Sequence, residues 1–310
     1  MKQDPVETAL AALDDIPVRT LEGRKQIAKA LAGKSNSVAA KAARIAGDAQ
    51  WSDLKEELAA AFARFLRQGA SLDKGCKASV AIARALFALD YDNAALYLSG
   101  LRHVQMEAVW GGSIDTAGEL RGICAMGLVN CSYPHKLREL VAVLVDDEAQ
   151  ARSGAIRALT TIGSEPAALL LRLKALSGDK EPEVLGDCFS GLLAIEGASA
   201  MPLVISFTDA ANNQVAEAAF LALGATRRED AIEWLKTRFG QVVDSETRQS
   251  ILLALAASRT EAAMAFLLDV IRNGSPRSSE IAVSAMHVNS TDARIREEIA
   301  AALRARGNRA

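Results

Sequence analysis

The sequence predicts an all-α fold, an array of stacked helix pairs, and three observations predict it. The 310 residues include 60 Ala and 37 Leu, the strongest helix formers. Aromatic residues are 5% of the chain and Pro numbers 7, so the β-branched and aromatic runs of a large sheet are scarce. A six-residue block recurs at spacings of 27 to 42 residues, the mark of a repeat architecture. Hydrophobic residues make up 50%, which excludes a disordered chain.

The blocks read ARIAGD (43–48), ALFALD (85–90), AMGLVN (125–130), ALTTIG (158–163), LLAIEG (192–197), AFLALG (219–224), LALAAS (253–258) and AMHVNS (285–290). Each ends on Gly, Asn, Asp or Ser. Gly and Asn tolerate the left-handed backbone that closes a helix. Polar turns precede several blocks, as at 147–152, 179–184, 209–215 and 244–248. Asp and Ser there cap the free amides of a first turn. A shorter apolar helix precedes each turn, as at 136–145, 166–176 and 230–239, with Pro134, Pro166 and Pro202 near the starts of such helices. Pro costs little there because its missing N–H has no helical partner.

Each unit is therefore helix A, turn, helix B, turn. One pair cannot bury both apolar faces, and stacked pairs can. Eight units are expected: 17–48, 50–90, 92–130, 134–163, 166–197, 200–224, 229–258 and 261–290. Helices at 5–14 and 292–306 cap a single array spanning 1–310. The units over 17–130 are longer and irregular; those over 134–290 are regular.

The stretches AQARSGAIRALTTIG (149–163) and QVAEAAFLALG (214–224) carry a family resemblance. The pattern resembles HEAT repeats, especially the short bacterial type also seen in phycobilin lyase subunits. The resemblance covers nearly the whole chain. It implies a right-handed superhelix with the B helices on a concave face that holds partners. Exposed B-helix residues such as Arg152, Arg157, Asp187, Glu217 and Arg248 would then make the contacts.

The most irregular segment is 103–115, between the helices of the third unit. It places Trp110 before Gly111 and Gly112, with Asp115, Glu119 and Arg121 in the next turn. Trp is a frequent binding anchor, and paired glycines let backbone approach a ligand. Trp110 either anchors a partner or folds over a packing defect between irregular units. The amides of Gly111, Gly112 and Ser113 are expected to open helix B, where they can hold an anion. No Lys follows in the pattern of a nucleotide loop.

A second candidate is basic. Arg19, Arg24, Lys25, Lys29, Lys34, Lys41 and Arg44 stand against Glu22 alone, a local charge of +6 over 19–44. Such a patch attracts nucleic-acid phosphates or an acidic partner, or serves as the solvated cap that a repeat array needs. No aromatic residue interleaves it for base stacking. Arg304, Arg306 and Arg309 repeat the theme as a frayed tail. The whole chain carries a net charge of -2, whereas a dedicated nucleic-acid binder is usually basic.

Catalytic motifs such as GxSxG, HExxH or a Gly-rich dinucleotide loop do not occur. Cys76, Cys124, Cys131 and Cys188 sit in apolar helical patterns. Cys124 and Cys131, with His135 and His103 nearby in sequence, lack the close pairing of structural zinc sites. They are read as core or surface residues rather than ligands, and His287 as a packing or surface residue. No cofactor and no metal are expected. The start of the chain leads into an amphipathic stretch rather than an apolar leader, and no apolar run reaches membrane length. A cytoplasmic location is the expectation.

Three functions follow from these readings. The first is a non-catalytic scaffold or adaptor holding a protein or peptide on the helix-B surface. The second is a nucleic-acid binder using 19–44, by resemblance to HEAT-like DNA alkylation repair enzymes, whose concave surface is basic. The third is an accessory subunit of a protein-modifying enzyme, which the likeness to phycobilin lyase subunits implies and which predicts a bound chromophore or a modified protein client.

Overall fold

The computed structural model describes residues 4–17, 20–289 and 292–307. Arg19, Ser290 and Arg309 lie outside the described residues. Two compact units divide between Ile162 and Gly163.

The first unit opens with α1 (Pro5–Asp14). Four pairs follow: α2 (Leu21–Ala32) with α3 (Asn36–Asp48), α4 (Lys55–Gln68) with α5 (Lys77–Ala88), α6 (Ala94–Leu101) with α7 (Gly118–Val129), and α8 (Lys136–Leu144) with α9 (Ala149–Ile162). The second members stack in order, α3 on α5, α5 on α7 and α7 on α9. Small residues permit that stacking. A Cβ added to Gly122 would lie 2.6 Å from the Gln150 carbonyl oxygen, and one on Gly154 would fall on the Gly122 backbone. Large side chains then fill the space between layers, with Phe62, Phe65, Ile82, Leu86, Tyr97 and Leu120 fully buried.

The second unit repeats the plan. Its pairs are α10 (Glu165–Ser177) with α11 (Pro182–Glu196), α12 (Met201–Ser206) with α13 (Asn213–Ala225), α14 (Glu229–Gln241) with α15 (Ser245–Ser258), and α16 (Glu261–Asn273) with α17 (Pro276–Asn289). Helices α11, α13, α15 and α17 stack in turn, and α18 (Ala293–Gly307) packs on α16. The construction within each unit is HEAT-like: antiparallel pairs, each burying the face its neighbour cannot cover alone.

Capping bears out the sequence reading at Asp244, fails at the turn before α11, and occurs also at residues outside the expected turns. Thr20, Ser35, Asn93, Asp244 and Thr260 each accept a first-turn amide with the side chain, worth about 1 kcal/mol apiece. The closing residues differ in part from expectation. Asp90, Gly163 and Gly197 do take positive φ, but three blocks close later, at Gln50, Arg227 and Arg259. Gly224 is no cap. It lies inside α13, where a Cβ would strike the Ala254 carbonyl of α15. It is a packing glycine, kept small by the close approach of two helices.

Among the described residues, one helical stretch, Pro182–Asp209, is apolar and long enough to cross a membrane, with a hydropathy of 1.6. It is broken at Gly197, φ 59. Its Val184, Leu185, Cys188, Phe189 and Leu192 are buried, where α11 meets α10 and α13. The apolar residues of this face belong to the core of the second unit.

The largest departure lies in the third repeat. Where a turn opening directly into helix B was expected, the chain forms an antiparallel hairpin, β1 (Met106–Val109) and β2 (Gly112–Asp115). Helix α7 begins only at Gly118. The amides of Gly111, Gly112 and Ser113 therefore belong to a turn and a strand. They do not open a helix, and the expected anion site there is not formed.

Candidate functional site

The hairpin is short, and its register pairs Met106 with Asp115, Glu107 with Ile114, Ala108 with Ser113 and Val109 with Gly112. Trp110 and Gly111 form the two-residue tip. Gly111 takes φ 87, and a Cβ there would meet nothing within 4 Å. The requirement for glycine is one of backbone conformation, not space. A lone two-stranded ribbon is marginal in water, so the stability of this one must come from its base.

That base is pinned on both sides. The Glu107 carboxylate accepts from the Gly75 amide at 2.6 Å, the Gln105 side-chain amide at 2.7 Å and the Thr116 hydroxyl at 2.9 Å. Gln105 also donates to the Asp73 carbonyl at 2.9 Å. Asp73 is buried and caps α5, accepting from the amides of Ala78 and Ser79 at 2.8 Å. Gly75 and Cys76 both take positive φ in the turn whose Gly75 amide meets Glu107. These bonds, the Gly75 amide foremost, hold the Glu107 carboxyl below its ordinary range.

Arg121 pins the other side. Its guanidinium is buried and donates to Asp115 at 2.7 Å, to the His103 carbonyl at 2.9 Å and to both Asp146 oxygens at 2.7 Å. One side chain thus ties the start of the hairpin, its end and the next interhelical turn. Burial lowers the arginine's affinity for its proton, but the two carboxylates outweigh this and raise it. Burial likewise pushes the Asp115 carboxyl up, and the amides of Gln105 and Ala117 with Arg121 bring it below the ordinary value.

From this base the hairpin projects apolar side chains into solvent. Val104, Met106, Val109, Trp110 and Ile114 are all exposed, Trp110 at 103%. Single exposed apolar residues are unremarkable, but a cluster of them is a candidate interaction surface. The packing-defect alternative for Trp110 is overturned, because its ring covers nothing. Beside the hairpin runs a groove of about 820 Å³, bordered by Leu101, Val104, Met106, Ser113–Asp115 and the end of α8 with its following turn. Val145 there is 72% exposed.

The remaining expected site residues fall into different roles. Gly112 ends the tip with open space at its Cα. Glu119 is half-buried in an ion pair with Arg84. Arg121 is a structural node rather than a contact residue. Arg152 was expected to be exposed but is buried, donating to the carbonyls of Asp146 and Asp147 at 2.8 Å. It satisfies the turn before its own helix. Arg157 is exposed in the first unit. In the second, Asp187 and Glu217 are half-buried, and Arg248 donates to the Val242 carbonyl at 2.8 Å and lies over the Phe239 ring.

The basic region is weaker than its sequence implies. Arg24 pairs with Asp53 at 3.1 Å and covers Trp51. Lys41 donates to Asp14 at 2.5 Å and to the Leu10 carbonyl. Lys25, Lys29, Lys34 and Arg44 remain exposed. All four cysteines are buried free thiols. Burial pushes the Cys76 thiol up to about 11 and Cys188 to about 12, well away from reactive thiolates.

Gln105, Glu107 and Asp73 were not singled out in the sequence. The signal was present in the alternation of 104–109, followed by a Gly-bearing two-residue turn and the polar–apolar run 113–115.

No family model matches the chain, and no curated protein does. Among solved structures, it is similar to the complex of CpcE and CpcF of phycocyanin lyase from Nostoc sp. PCC7120. That match has 16% identity and a TM-score of 0.35, over 91% of this chain and 94% of that one. It is also similar to an engineered protein, at 15% identity and a TM-score of 0.36, over 97% of this chain and 94% of that one. Likenesses this distant assign the chain no activity, client or partner.

Proposed function

We propose that this protein is a non-catalytic binding module that holds a protein or peptide partner, and that the third-repeat hairpin is its recognition element. The observation that carries the reading is the contrast within the hairpin. A fully exposed Trp110 and its apolar neighbours stand on a base fixed by Glu107, Asp115 and Arg121. Rigid presentation lowers the entropy cost of binding, and Trp is enriched among residues that dominate binding energy. The exposed B-helix residue Arg157 can extend the surface in the same unit.

The test is affinity capture from native lysate with the full chain and with Trp110→Ala, each with and without nuclease. The reading expects a partner that survives nuclease and is lost with Trp110→Ala. Capture that is unchanged in the variant contradicts it. Capture abolished by nuclease moves the function to Lys25, Lys29, Lys34 and Arg44 and to nucleic acid.

A further inference from the structure

We infer that the hairpin takes an extended peptide carrying apolar residues at alternate positions and a Lys or Arg at one end, added as a third strand along the outer edge of β2. This rests on the binding-module reading above and specifies its partner.

The edge is open. The Thr116 amide donates to the Gln105 carbonyl at 3.0 Å, so 105 and 116 form a hydrogen-bonded pair. Alternation then makes Glu107 with Ile114, and Val109 with Gly112, the next bonded pairs. Ser113 and Asp115 fall between them and turn their N–H and C=O groups outward. No backbone partner meets those groups among the described residues. An uncovered edge is a template for another strand.

The edge also borders the groove. From β2, the consecutive residues Ser113, Ile114 and Asp115 all line it, whereas β1 contributes Met106 alone. Consecutive strand residues point to opposite faces, so a cavity that touches all three sees the strand edge-on. A peptide paired there would lay alternate side chains against Val104, Met106 and Val145, which are all exposed.

Charge selects the rest of the peptide. The groove is lined by five carboxylates and two arginines. Arg121 is spent on Asp115 and Asp146, and Arg102 on Glu139 at 2.8 Å. Asp147 and Glu148 remain without an ion pair among the described residues. The surplus is negative and sits at the end of the groove, where a Lys or Arg of the peptide finds it.

Phage-displayed random twelve-residue peptides are selected on the full chain, and the winners are remade synthetically. Binding is measured on wild type, Ser113→Pro, Asp147→Lys and Trp110→Ala. Ser113→Pro removes an outward N–H without removing a hairpin bond, and the circular dichroism melt confirms that the fold is kept. Winners with apolar residues at alternate positions and a terminal Lys or Arg are expected, weakened about tenfold by Ser113→Pro and measurably by Asp147→Lys. N-methylation of the peptide at every second residue should abolish binding in one register and spare it in the other. Absence of winners, or winners indifferent to Ser113→Pro and to N-methylation in both registers, overturns strand addition. If such winners are still lost on Trp110→Ala, the hairpin remains the recognition element and only this inference fails. If they survive Trp110→Ala as well, the binding-module reading fails with it.

Discussion

Arg121→Met should loosen the hairpin without unfolding the helices around it. The substitution keeps the apolar stem of the side chain and removes its guanidinium. Arg121, Asp115 and Asp146 have side chains only 5%, 12% and 15% exposed, so solvent does not screen the loss. Breaking a buried ion pair by removing one partner costs about 3–5 kcal/mol. The lower end applies here, because Asp115 keeps the amides of Gln105 and Ala117 and Asp146 keeps that of Glu148. A cost of about 3 kcal/mol speeds exchange through local opening by about 100-fold. The assay is amide hydrogen exchange, read at Gln105, Thr116, Ala117 and Glu148, with amides of α3 and α5 as internal reference. Arg121→Lys should fall between, since an ammonium cannot match the two-pronged contact with Asp146. Exchange in Arg121→Met within about threefold of wild type at those four amides would refute the account of the base.

Further outcomes follow from the same geometry. Gly154→Ala gains helix propensity worth about 1 kcal/mol. Its new methyl meets the Gly122 backbone of α7, so the variant should be less stable by about 1–3 kcal/mol, read by urea denaturation. Gly111→Ala should cost about 1 kcal/mol of hairpin stability for its φ of 87, whereas Gly112→Ala should cost less, by exchange at Thr116. Acid should release the hairpin before the helices. The carboxyls of Glu107 and Asp115 sit below their ordinary values of 4.5 and 3.8. Their contribution is therefore complete above those values and is lost as pH falls through the lower folded ones. Glu107→Gln should flatten that part of the exchange profile.

The helix pairs were legible because their signals are local. Apolar periodicity, a capping polar residue and a closing polar residue each sit within a few positions of the boundary they set, as at Asp244. The hairpin was legible only as an irregularity. Its alternation spans four residues a strand, too few to outweigh the helical context, and Trp110 with two glycines reads as a loop. What makes it a ribbon is distant in sequence: Glu107 to Gly75, Gln105 to Asp73, Arg121 to Asp146. Arg121 and Arg152 looked like surface charges for the same reason. Their partners are turn carboxylates and carbonyls, visible only once successive repeats are stacked. The basic run 19–44 carries less free charge than its sequence implies, because Asp14 and Asp53, which pair with Lys41 and Arg24, lie outside it.

The most direct test of the central claim places a photo-crosslinking benzophenone residue at position 108, which leaves Trp110 in place, and in a separate protein at position 157, in the otherwise unchanged full chain. Both positions are exposed in the same unit. Irradiation in native lysate should give a dominant protein adduct on the hairpin, competed away by excess unlabelled protein but not by the Trp110→Ala protein. Adducts at position 157 with none at position 108 would contradict the account and return recognition to the helix surface.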